Sequence, residues 1–300
     1  MKAVRLLTLL RKRPGYAVGA LLLALTVLIS DHLDFNAASL MAGWENFVII
    51  WGEAMPPDFD KVLFERASWS HPRCESSWDW VCSPAVNGLL QTIEIAFLAT
   101  FFGMILALPL SMAAARNLSP EWLSDLSRAI LAGLRVLPSL VWALIFVIIV
   151  GVGPLAGVLA MTLYTIGYLG KLQYEAFEGV DPHPLEAARA MGLSRWRVAR
   201  FFALPEAANA LLSQMLFMFE YNVRHGSVIG LVGAGGIGWY MSYYLDPFKL
   251  YDRVTALLII MYVAVLIIDR ISLRLRARFI ETEHAQKASW MGVFLPWNRN

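Results

Sequence analysis

Long apolar runs alternate with short polar stretches along most of the chain. A bilayer core about 30 Å thick is crossed by about 20 apolar helical residues, and six segments are candidates, the first of them short enough to start inside the basic segment before it. They are Tyr16–Ser30, a second within Pro84–Ala115, then Leu126–Val150, Leu155–Leu172, Glu206–Tyr221 and Val254–Ile271. The second contains Glu94 and Pro109, and the third carries Arg135 and Pro138 near its start. "GVGP" (Gly151–Pro154) separates the third from the fourth. Between the first two spans, "LMAGWENFVIIWGEAM" reads as an amphipathic helix lying at the membrane interface, where tryptophan is favoured. "PPDFD" ends it. The pattern predicts an all-α polytopic membrane protein in four parts. Residues 1–30 are a basic start and first span, and 31–83 an outer or interfacial segment. Residues 84–272 are a five-span core containing a polar loop at 173–205, and 273–300 a tail.

Composition agrees. Of 300 residues, 58% are hydrophobic and 16% charged, well below the quarter usual for soluble domains. A net charge of +2 gives no reason to expect a nucleic-acid partner. The start "MKAVRLLTLLRKRPGY" is basic and precedes an apolar run, as in a secretory signal. The run ends in "ISDHLD" without a small-x-small cleavage site, so it reads as a retained anchor. Six spans place both termini on one side. With the termini inside, the inner segments hold three times as many lysines and arginines as the outer ones, the asymmetry expected of cytoplasmic loops. The same topology puts Cys74 and Cys82 outside, where a disulfide can form; the alternative is two unpaired thiols. Two thiols and His71 are too few ligands for a four-coordinate zinc site.

The loop between the fourth and fifth spans carries "EAARAMGLSRWRVARFFALP", Glu186–Pro205, with four arginines. Pro182 and Pro184 suit a first helical turn and Glu186 a helix N-terminus. Gly192 is a C-cap candidate and Ser194 an N-cap candidate for a second short helix. Val198, Phe201 and Phe202 can share an apolar face while Arg195, Arg197 and Arg200 stay wet, and Pro205 bends or restarts the chain at the membrane. Residues alone allow either an ordinary amphipathic loop or a helix whose alanine face docks in a partner's groove, with arginines steering an acidic surface.

The spacing Glu186-Ala187-Ala188, Gly192, Leu204-Pro205 resembles the EAA signature of permease subunits of bacterial ABC importers, although Phe202 stands where the family pattern has isoleucine. The resemblance implies a type I importer permease fold. It makes this loop the coupling helix seated in a cytoplasmic ABC ATPase. The implied partners are a second copy of the chain, two such ATPases, a periplasmic substrate-binding protein and the lipid bilayer. ATP and magnesium would be bound by the ATPase, with no cofactor in this chain. "PPDF" (Pro56–Phe59), "AARN" (Ala114–Asn117), "RVLPSLVWALIFV" (Arg135–Val147) and "FEYNVRHGSVIGLVGAGGIG" (Phe219–Gly238) resemble the phosphonate-type permeases. The implied cargo is a phosphonate, phosphite, hypophosphite or phosphate ester. Methionine and betaine permeases are the alternative, since they also carry glycine-rich segments here. In this family the fifth span lines the pore, which makes Asn222, Arg224, Gly233, Gly235 and Gly236 candidates for the pathway.

Other signals fail on their own terms. Gly233–Gly238 matches G-x-G-x-x-G but follows a membrane span, and Asp252 is too near for the acidic partner of a dinucleotide fold. Gly170-Lys171 lacks the rest of a phosphate-binding loop, so this chain is not expected to be the ATPase. The five histidines are scattered and no catalytic constellation appears. A membrane-embedded enzyme would need paired catalytic groups at one depth, and a passive channel would not need the EAA island. Glu94, Arg135, Glu220 and Arg224 lie in or near apolar spans, where charges need partners. Glu220 and Arg224 have the favourable i,i+4 order for an ion pair.

Overall fold

The computed structural model describes residues 14–67 and 74–279, and these contain helices and no strands. The basic start and most of the tail lie outside the described residues. The chain divides into two compact units, Met1–Pro56 and Pro57–Asn300.

The first unit contains α1 (Pro14–His32) and α2 (Ala37–Ala54). Asp34 turns the chain with φ +52°, and Asn36 caps α2 by accepting from the Ser39 N–H at 2.9 Å. The bend between the helices is 52°. Along α2, Trp44, Phe47 and Trp51 form a ladder with ring centroids 5.5 and 5.7 Å apart.

The second unit is a bundle of α3 (Phe59–Leu63), α4 (Pro84–Ala114), α5 (Glu121–Val136), α6 (Ser139–Val150), α7 (Pro154–Glu178), α8 (Pro182–Ala190), α9 (Arg195–Val198), α10 (Leu204–Gly230), α11 (Ile237–Leu245) and α12 (Tyr251–Phe279). Ser83 and Pro84 start α4, with the Ser83 hydroxyl accepting from the Val86 N–H. Just before it, Cys74 and Cys82 are joined by a disulfide with Cα atoms 5.6 Å apart. The Ala67 N–H donates to the Cys82 carbonyl at 2.9 Å, fastening the outer segment to the start of α4.

Two expectations change. The third span is not one helix: α5 and α6 meet at 81°. Pro138 lacks an N–H and biases Leu137 toward extended backbone (φ −89°, ψ 129°), which ends α5. The Leu134 carbonyl, which the missing N–H would have satisfied, accepts instead from the Trp142 indole N–H at 3.2 Å. The sixth span instead begins and ends beyond its predicted limits, as part of α12.

The second change is at Pro205, which does not break the chain. The backbone widens into one π turn over Ala199–Ala203 and continues into α10, giving an uninterrupted helical path over Arg195–Gly230. The wide turn absorbs the crowding that a proline ring imposes on the turn before it. Val198 is buried and Phe202 partly so, but Phe201 turns outward, against the expected shared face.

Helices α4, α7 and α10 pack closely because small residues line their contacts. A Cβ on Gly103 would lie 2.4 Å from Thr165 Cγ2, and one on Gly226 2.8 Å from Thr92 Cγ2. Inside this contact Asn222 is fully buried. Its amide donates to the hydroxyls of Thr100 (2.9 Å) and Thr165 (3.0 Å). The tightest approach is Gly238, whose added Cβ would sit 1.8 Å from the Ser227 carbonyl oxygen. That neighbour is backbone and cannot swing aside. Gly238→Ala is therefore expected to cost about 1–3 kcal/mol. Gly133→Ala, where a Cβ meets nothing within 4 Å, should be tolerated. Thermal unfolding of the two variants in detergent checks the contrast; equal melting temperatures would refute it.

Candidate functional site

The polar loop folds onto the end of the bundle. Asp181 caps α8 by accepting from the His183 N–H at 3.0 Å. Leu185 and Ala188 point into a core shared with Leu118, Phe177, Val180, Val198 and Ala199. Glu186, Ala187, Arg189 and Met191 remain exposed. The expected docking face is therefore corrected at Ala188: it is fully buried in this chain's own core. Gly192 has φ +77°, the left-handed conformation that glycine adopts after a helix. Its N–H bonds the Arg189 carbonyl, and the Leu193 N–H bonds that of Ala188. Ser194 stands at the N-cap of α9, but its hydroxyl accepts from the Arg197 guanidinium rather than from backbone. Leu204 is partly buried against the same core and Pro205 is exposed. Met191, Trp196 and Phe201, each more than half exposed, sit among the exposed Arg195, Arg197 and Arg200.

This island is anchored by residues that sequence reasoning did not assign. The Glu178 carboxylate, at the end of α7, accepts from the Arg116 backbone N–H at 2.7 Å and pairs with the Arg128 guanidinium. Asn117 donates to the Phe177 carbonyl at 2.7 Å, and the Arg189 guanidinium donates to the Asn117 carbonyl. Ser124 and Arg128 both donate to the Ala114 carbonyl, at 2.6 and 2.9 Å. The "AARN" stretch thus ties the ends of α4 and α7 to α5 and α8. Its polar residues inside an otherwise apolar sequence were the available signal.

The glycine segment is a packed turn. Gly236, at φ +75°, donates its N–H to the Gln91 side chain, and the Ile237 N–H donates to Thr92 Oγ1 at 2.9 Å. The Gly233 carbonyl accepts from the Gly153 N–H at 2.9 Å, joining this turn to the "GVGP" break. Gly233, Gly235 and Gly236 are buried, so in this fold they serve close packing, and the Gly236 N–H is already taken. Among the described residues no strand precedes them, and no cluster of metal-ligating side chains is found.

Arg224 is also placed differently from expectation. Its guanidinium grips both oxygens of Asp269 on α12, at 2.7 and 2.9 Å, and is 3.9 Å from Glu220. Glu220 pairs with Arg276 instead. The expected Glu220–Arg224 pair is a secondary contact within a four-residue network joining α10 to α12. It could not be read locally, because both main partners are over 40 residues away.

The second unit is thus a bundle of apolar helices of spanning length with a braced, partly exposed helix pair at one end. Residues 99–281 match the family of binding-protein-dependent transport system inner membrane components, and the chain belongs to that family. It is a multi-pass membrane protein and the permease component of an ABC importer. A putative phosphite transport system permease protein, HtxC of Stutzerimonas stutzeri, is 39% identical over 66% of this chain and 70% of its own length. The phosphite transport system permease protein PtxC of the same species is 34% identical, covering 81% and 82%. The phosphate-import permease protein PhnE of Mycolicibacterium smegmatis is 37% identical over 83% of this chain, which spans only 43% of that relative's length. Among solved structures, the inward-facing MetNI methionine ABC transporter resembles the fold with a TM-score of 0.58. It is 24% identical and covers 66% of this chain and 96% of that one.

The ion network yields a direct test. In double-mutant cycles of detergent-solubilised protein, Arg224→Gln with Asp269→Asn should show a larger coupling energy than Arg224→Gln with Glu220→Gln. Equal coupling in the two cycles would contradict the observed pairing.

Proposed function

We propose that this chain is the permease of an ATP-driven importer for a phosphorus oxyanion such as phosphite, a phosphonate or a phosphate ester. Two copies would form the membrane unit, each carrying one cytoplasmic ABC ATPase on the island, with a periplasmic binding protein delivering the cargo. ATP and magnesium belong to the ATPase. The observation that carries the coupling role is the island itself. α8 is fixed from within by Leu185 and Ala188 and offers Glu186 and Ala187 outward, with Met191 exposed just after its end. The substrate class is supported by the phosphite and phosphate names of the relatives at 34–39% identity. Methionine or a betaine is the second reading; carnitine permeases are also among the relatives, at 28% identity or less.

The energetics favour a powered importer. Moving one negative charge inward against 100 mV costs about 2.3 kcal/mol, so a passive pore would run outward whenever the outside concentration is less than about 50-fold the inside one. Closure of the ATPases would pull on the two α8 helices. The cross-braces at Glu178, Asn117 and Arg189 would carry that movement into α4, α5 and α7.

Glu186 and Gly192 are expected to matter for coupling. Open space surrounds Gly192, so a side chain there strains the backbone without clashing inside this chain. Gly192→Val should therefore lose most substrate-stimulated ATPase activity in the reconstituted complex, while Gly192→Asn, which tolerates the left-handed conformation, keeps more. Unchanged assembly and stimulation in Gly192→Val would remove the coupling role.

With both termini cytoplasmic, the Cys74–Cys82 bridge lies in the periplasm. A membrane-impermeant thiol reagent should label intact spheroplasts only after reduction. Labelling that needs permeabilised membranes would invert the topology.

A further inference from the structure

A cation in or near an apolar span needs an acceptor, and three arginines of the bundle have a carboxylate. Arg224 is held by Asp269, Arg276 by Glu220, and Arg128 by Glu178. Arg135 differs. Among the described residues its guanidinium makes one hydrogen bond, from Nε to the Leu131 carbonyl of its own helix at 3.3 Å, and no carboxylate pairs with it. The residue is partly exposed, so the terminal nitrogens are not sealed in a core.

Its depth is fixed by its neighbour. A Cβ added to Gly167 would lie 2.8 Å from Arg135 Cγ, so the arginine stem crosses α7 at that glycine. Gly167 is 13 residues from Pro154 and 11 from Glu178 at the two ends of α7. At 1.5 Å per residue it stands about 20 and about 17 Å from them, near the middle of the helix and five residues inside the Leu172 end of its apolar span. The position is also rigid: Arg135 adjoins the Leu134 carbonyl, which Trp142 holds across the α5–α6 corner.

On the same stretch of α7, Tyr164 and Tyr168 stack on Tyr221 of α10, with centroids 5.9 and 6.0 Å apart. The hydroxyls of Tyr164 and Tyr221 are 2.9 Å apart, and the Tyr221 hydroxyl is 2.9 Å from His225 Nε2. All four side chains are partly exposed. The chain can run in either direction. If neutral His225 accepts at Nε2, Tyr221 donates to it and Tyr164 donates to Tyr221. If Nε2 carries the proton, the bonds reverse and the Tyr164 O–H becomes a spare donor.

We infer that Arg135 and the Tyr164–Tyr221–His225 chain form the oxyanion-recognition face of the translocation pathway, on the side of the bundle where Leu134, Tyr164, Tyr168 and Tyr221 pack on one shared core. The inference rests on the proposed oxyanion import. A guanidinium fork fits two oxygens of a tetrahedral phosphorus anion, and Tyr164 supplies a further O–H. A guanidinium open to lipid is costly, so the second copy proposed above would cover this side. Among the described residues Arg135 has no carboxylate partner, whereas Arg224 is tied to Asp269.

The test is uptake of phosphite, methylphosphonate and phosphate by proteoliposomes holding the complete complex of permease, ATPase and binding protein. Arg135→Gln is expected to lower uptake by at least about 30-fold, with the ATPase still co-purifying. Arg135→Lys, which keeps the charge without the fork, should recover part of it. Tyr164→Phe should cost about 5-fold. Wild-type uptake in Arg135→Gln overturns the inference while leaving the proposed function intact. Wild-type liposomes that import none of the three anions would instead sink the proposed function. If Arg135→Gln does not assemble, Tyr168→Cys decides. Its modification by an anionic methanethiosulfonate should be slowed by saturating phosphite, and a rate indifferent to phosphite overturns the inference.

Discussion

The buried amide of Asn222 sets the register of the bundle. It draws one hydroxyl from α4 and one from α7 onto α10, at 2.9 and 3.0 Å, in a place where an unmet amide would be costly. Gly103 and Gly226 allow the backbones to approach closely enough for those bonds to form. The consequence appears one residue away on each helix. Thr165 and Asn222 face inward, so their neighbours Tyr164 and Tyr221 turn outward together and stack. A slip of one residue on either helix would break the inner bonds and separate the outer rings. A polar contact with no exposure thus determines what the open side of the bundle presents.

Charge accounting divides the arginines by task. Where a carboxylate is in reach, the pair works as a strut: Arg224–Asp269 and Arg276–Glu220 lace α10 to α12, and Arg128–Glu178 laces α5 to α7. Such pairs keep charge at membrane depth by satisfying it internally. Arg135 falls outside this scheme: it lies one residue before its helix ends at Val136, and among the described residues no carboxylate pairs with it. The corner that follows is braced by an indole, not a carboxylate.

The island at the far end of the bundle depends on a similar economy of contacts. Leu185 and Ala188 anchor α8 by its inner side, leaving Glu186 and Ala187 on its outer side exposed among the described residues. Around it, backbone carbonyls at Ala114, Asn117 and Phe177 accept from side chains, so several helix ends share one hydrogen-bonded hub. A force applied to α8 would meet a hub instead of a slack loop. The π turn at Ala199–Ala203 keeps the path into α10 helical despite Pro205.

The amino-acid sequence by itself determined the helical membrane class, because apolar runs of spanning length have few other solutions. It also determined the position of the island, whose residues keep their local roles: Gly192 has the left-handed conformation its place after a helix requires. What lay beyond it were relations between distant residues. Ala188 belongs to the docking motif by spacing, yet only packing decided that it faces inward. Glu220 and Arg224 are neighbours on one helix face, yet Asp269 and Arg276 compete for them from another helix and win on geometry. The glycines read as backbone open to an anion, and tertiary contacts filled that space with Gln91, Thr92 and Ser227. Local propensity acts over a few residues along the chain. A charge, an amide or a bare backbone is satisfied through space, and only the folded bundle decides which partner arrives.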